Sequence, residues 1–128
     1  MPVDFTTAQW AHDLGFDERT DTWYNADGNR FSTNASGKPP RSYWAPHPVD
    51  LLEWLEREKG WLIQWVCGSD KKKRWRAEYL AKSKEWCEAN GFHEDHIDEV
   101  HGDFRDNPWV LHTDTAADLL AAIRQRMQ

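Results

Sequence analysis

Nowhere does this sequence hold a run of apolar residues approaching the length that crosses a bilayer, which sets a membrane-spanning helix aside. Cysteine is almost missing. Cys67 and Cys87 lie too far apart for the close pair of a structural zinc site and make no disulfide framework. No basic and apolar signal region precedes Phe5, so a reducing, cytoplasmic setting is expected, and the Asn34-Ala35-Ser36 sequon is expected to stay bare. There is no Gly-x-Ser-x-Gly elbow, no glycine-rich phosphate loop and no cysteine–histidine pattern of a nucleophile. With those signs of catalysis and nucleotide binding lacking, a non-enzyme without a cofactor is expected. Positive charge is also short: 16 Lys and Arg face 22 Asp and Glu, for a net charge of −6. That balance speaks against a general binder of nucleic acid or anionic membrane and suits a partner with a basic surface.

What the chain has in plenty is tryptophan. A length of 128 residues is one domain by size and should bury roughly two thirds of its unfolded surface, so nine indoles can build a core from few residues. Any surplus points to a binding face, because Trp is an enriched interface anchor.

The stretch from His47 to Val66 organises the rest. Pro48 suits the first turn of a helix, Asp50 meets the positive end of its dipole, and Leu51, Leu52, Trp54 and Leu55 recur at helical spacing among charged positions. Gly60 ends that helix. Trp61, Leu62, Ile63, Trp65 and Val66 then read as a short strand buried on both faces, with Cys67 an inert thiol at its end. The expected class is α+β, a small antiparallel or mixed sheet flanked by helices in a single domain, with Leu51, Leu55, Ile63, Leu119 and Ile123 in the core.

Before this stretch, residues 1–22 suggest a short helix capped by Thr6 or Thr7 and ended by Gly15. Trp23-Tyr24 and Arg30-Phe31 read as short strands around an Asp27-Gly28 hairpin turn. A calcium loop there fails at Trp23 and Asn34. Residues 32–46 read as a loop, closing on the extended aromatic pair Tyr43 and Trp44.

After it, Lys71, Lys72, Lys73, Arg74 and Arg76 form the one dense basic run, interleaved with Trp75. Alternation of Trp75, Ala77 and Tyr79 gives a strand, whereas Trp75, Tyr79, Ser83 and Trp86 also share a helical face, so residues 72–81 stay open while 83–90 read as helix up to Asn90-Gly91. Residues 82–108 form a charged insertion. A strand at 109–112 and a helix capped by Thr113 or Asp114 close the chain, with Leu119, Leu120 and Ile123 inward and Arg124 and Arg126 in its last turn.

The Pro-initiated amphipathic helix, the Gly60-Trp61 strand, Trp75-Arg76-Ala77-Glu78-Tyr79, and a strand running into Asp114-Thr115-Ala116 and a closing helix resemble the small phage proteins of the ABA sandwich type over about 47–81 and 109–124. That resemblance implies a phage or prophage protein with a sheet between helices, and Trp75 to Tyr79 as a strand. It carries no activity over to any residue.

Three functions compete. The first is a non-enzymatic, protein-binding inhibitor of a host nucleic-acid-binding defence complex, of the anti-CRISPR or anti-restriction kind. Glu94, Asp95, Asp98, Glu99, Asp103 and Asp106 would stand in for phosphates against a basic surface, and Tyr43 and Trp44 would supply exposed aromatic contacts. The second is a phage accessory or immunity-type protein of structural role. The third is a small metal-dependent enzyme using His93, His96 and His101 with Cys87. Its spacing is poor, because His93-Glu94-Asp95-His96 is one residue short of the zincin motif. The basic run with Trp75 could also track a phosphate backbone, though the acidic whole makes direct nucleic-acid binding the weaker expectation.

Overall fold

A computed structural model of the chain describes residues 1–67, 70–91 and 107–128. They form an α+β fold with two three-stranded sheets, both antiparallel, and fall into two compact units, Met1–Trp54 and Leu55–Gln128. The elements run α1 (Phe5–Asp13), β1 (Thr22–Tyr24), β2 (Arg30–Ser32), β3 (Tyr43–Trp44), α2 (Pro48–Lys59), β4 (Trp61–Cys67), β5 (Lys73–Tyr79), α3 (Leu80–Ala89), β6 (Val110–Thr113) and α4 (Ala116–Met127). None of the described helices is long and apolar enough to cross a membrane.

In the first unit the sheet order is β2-β1-β3. The hairpin forms where Asp27-Gly28 placed it: Asn25 Oδ1 accepts from the backbone N–H groups of Asp27 and Asn29, at 3.0 and 2.9 Å. Gly28 has φ +86°, and a Cβ there would come within 3.2 Å of the Phe5 ring, so both backbone and packing call for glycine. Phe5 sits edge-on to Tyr24 and Tyr43, and His12 edge-on to Tyr43, which lays α1 against one face of this sheet. The cap of α1 is Asp4, not Thr6 or Thr7: its Oδ1 accepts from the Thr7 N–H at 2.8 Å, and Thr7 is buried inside the first turn. The strand β3 lies in what the composition suggested was all loop. Two proline-flanked residues are enough for it because β1 supplies the ladder, with Ala45 N–H reaching Thr22 O at 3.0 Å.

In the second unit the order is β4-β5-β6, so β5 is the central strand and β4 has a single neighbour among the described residues. This corrects the doubly buried reading of Trp61 to Val66. Trp61 is buried, but Gln64 and Trp65 are exposed, Ile63 is only half-buried, and Cys67 is exposed. An apolar run signals contact, and here part of that contact is a cross-strand Trp65–Trp75 pair rather than a covering layer. Residues 72–81 resolve into both candidates in turn, strand to Tyr79 and helix from Leu80. The last helix is capped by Thr115, whose Oγ1 accepts from Asp118 N–H at 3.1 Å, one or two residues beyond the expected Thr113 or Asp114. Thr113 Oγ1 instead donates to Thr115 O. The strand before it is Val110–Thr113 rather than 109–112. The charged insertion begins as α3 and ends at a buried Asn107.

Candidate binding surfaces

Strand alternation puts residues directly opposite one another on a common face. In the first unit Trp23 pairs with Phe31 on one side and Trp44 on the other, so Phe31, Trp23 and Trp44 make one aromatic row across three strands. Tyr24 and Tyr43 point to the other face, the one α1 covers. Trp23 and Phe31 stack at 4.7 Å between ring centroids, and Lys38 Nζ lies 5.5 Å from the Trp44 ring centre, within reach of a cation–π contact. Phe31 is 43% exposed. A groove of about 380 Å³ opens beside Trp23 and Phe31, lined also by Asp27, Pro39, Pro40 and Arg41. The wall is held by Ser42, which donates its hydroxyl to Pro39 O, and Arg41 takes a left-handed φ of 61°. A non-glycine residue in that region is strained and persists only where neighbours fix it.

Of the residues expected to bind a partner, Tyr43 and Trp44 are thus half-buried parts of β3 rather than an exposed cluster, and they face opposite ways. Only Trp44 shares the grooved face. Glu94, Asp95, Asp98, Glu99, Asp103 and Asp106, like His93, His96 and His101, lie outside the described residues. Among the described residues no three His, Cys, Asp or Glu gather closely enough to hold a metal ion. Trp23 and Phe31 did not stand out as binding residues in the sequence: a two-residue turn at Asp27-Gly28 would set Phe31 opposite Tyr24, and it is the three-residue loop 26–28, closed by Asn25 and Asn29, that sets it opposite Trp23.

In the second unit Arg76 and Glu78, on one face of β5, are buried. Arg76 donates to Glu78 Oε1 at 3.1 Å and to Gln64 Oε1 at 3.2 Å, Ser83 donates to Glu78 Oε2 at 2.8 Å, and Asn107 Nδ2 donates to Ser83 Oγ at 2.8 Å. Arg76, Glu78, Ser83 and Asn107 are each at most 5% exposed. Such a sealed chain of donors and acceptors organises the fold and leaves Ser83 occupied from both sides. Cys87 is buried nearby; burial, and then the negative charges of Glu78 and Glu88, push its thiol above the usual range. It therefore stays protonated at neutral pH and is a poor nucleophile.

The opposite face of this sheet is aromatic. Trp61 stacks on Tyr79 at 5.0 Å and Tyr79 leans on Trp109 at 5.8 Å, while further along Trp65 and Trp75 stand opposite each other at 5.3 Å. Trp65 is 50% exposed. In comparisons with family models, curated proteins and solved structures, nothing matches this chain.

Proposed function

We propose that this chain is a non-enzymatic binding module whose partner is a protein, gripped by the Phe31–Trp23–Trp44 row and its groove. The observation that carries this reading is the stacked Trp23–Phe31 pair standing half open beside a 380 Å³ groove, on the sheet face turned away from α1. Rigid aromatic anchors next to a concave, proline-walled recess are the composition and shape from which binding hot spots are made. Arg41 and Asp27, which line the groove, offer orientation by charge.

The finer reading is an inhibitor of phage or prophage origin that docks on the basic, nucleic-acid-binding surface of a host defence complex. It is supported by the net charge of −6 and by six carboxylates between Glu94 and Asp106. Charges of this kind act mostly on encounter. Reversing Asp98, Glu99 and Asp103 to Lys is therefore expected to slow association with the captured host partner and to flatten its dependence on salt, with an unchanged melting temperature. Stopped-flow association at two ionic strengths measures this. A triple variant that binds as fast as the parent at low salt would remove the phosphate-mimic reading and leave the aromatic row to act alone.

A further inference from the structure

The end of the β4–β5 hairpin carries a second surface, in the other unit and independent of the aromatic row. Trp65 and Trp75 are direct cross-strand partners, and Lys73, two residues from Trp75 on the same strand, shares their face. Trp65 is 50% exposed, and Lys71, Lys72 and Lys73 are all exposed. Asp70 is occupied as the pin of this turn. It accepts from the Lys72 backbone N–H at 3.1 Å and pairs with the Arg74 guanidinium, and the first of these, then the charges of Arg74 and Lys72, hold its carboxyl below the usual range. Lys71 adopts a left-handed φ of 63°. An acidic protein thus concentrates positive charge beside a tryptophan pair on a sheet, one indole of which is half exposed.

We infer that the Trp65–Trp75 pair with Lys71, Lys72 and Lys73 binds single-stranded nucleic acid. The chemistry is complementary in two respects. A single strand alternates unstacked aromatic bases with phosphates, so its bases can lie on the exposed indole while its backbone meets the lysines. A duplex offers the phosphates but keeps its bases stacked inside, and an acidic peptide offers the charge without the flat ring.

The test uses fluorescence anisotropy of a labelled oligodeoxythymidylate of about twelve nucleotides titrated with the full chain at low salt, beside a duplex of equal length. The single strand is expected to bind more tightly than the duplex. Three phosphate contacts predict a slope of log K against log salt of roughly −2. Trp65→Ala should weaken binding about tenfold. The Lys71, Lys72, Lys73→Glu variant should lose both the affinity and the slope, whereas Phe31→Ala should bind as the parent does, which separates this surface from the protein-binding one. Absence of an anisotropy rise at low salt overturns the inference. So does equal binding of duplex with no effect of Trp65→Ala, which would reduce the site to attraction for any polyanion, and so does binding of anionic phospholipid vesicles but not of the oligonucleotide.

Discussion

Replacing Glu78 with alanine is expected to lower the free energy of unfolding by about 3–5 kcal/mol, the usual cost of breaking a buried ion pair from one side. The size follows from what the carboxylate holds. Its two oxygens take the Arg76 guanidinium and the Ser83 hydroxyl, Ser83 in turn takes Asn107, and Glu78 itself is 2% exposed. Without it Arg76 keeps a positive charge in a site 5% exposed, where its Nε already lacks a hydrogen-bond partner among the described residues. Desolvation makes an orphaned charge far more costly than a lost pair, so the double variant Arg76→Met with Glu78→Leu should be more stable than Glu78→Ala alone. Denaturant midpoints of the three proteins decide it. A Glu78→Ala midpoint equal to the parent's would show that the pair contributes nothing.

The second large effect lies in the apolar core. Leu55 and Ile123 are both 0% exposed, and truncating either to alanine removes buried methyl groups and leaves a cavity, at a cost of about 2–4 kcal/mol. Ile63→Ala should cost less, because its side chain is only half-buried. Trp65→Ala should likewise cost less than Leu55→Ala, about 1 kcal/mol for the lost cross-strand contact with Trp75, because half of the indole is exposed, despite deleting the largest side chain of the four. Equal losses for Ile63 and Leu55 in urea unfolding would contradict the half-buried placement of Ile63.

The parts of the fold that were legible in the sequence were those decided within a few residues. Pro48 opens α2 and Gly60, with φ +75°, closes it; Asp27-Gly28 makes its hairpin; Arg124 and Arg126 finish α4. Local rules reached less far at the caps, where Asp4 and Thr115 prevailed over neighbours of equal capping strength because the chain direction, not the residue type, decided which oxygen met the free N–H groups. Sheet order was out of reach. An apolar run such as Trp61 to Val66 looks the same at an edge as at a centre, and β5, with Lys73, Arg74, Arg76 and Glu78, looks like a surface strand although it is the central one. Arg76 and Glu78 can be buried because they satisfy each other and Ser83, a pairing that no sequence spacing announces. The aromatic row was half legible: Trp44 was expected to meet a partner, while Trp23 and Phe31 became its neighbours only once the hairpin register joined them.

The most direct measurement on the protein-binding reading is the affinity of one residue's variant. A host protein captured by the parent chain and identified by mass spectrometry is titrated calorimetrically against the parent and against Phe31→Ala, whose side chain is 43% exposed and stacks only on its cross-strand partner among the described rings. Loss of a hot-spot aromatic predicts a Kd weakened by about 2 kcal/mol, roughly thirtyfold, with an unchanged melting temperature. An unchanged Kd for a folded Phe31→Ala protein would contradict the aromatic row as the site of partner binding.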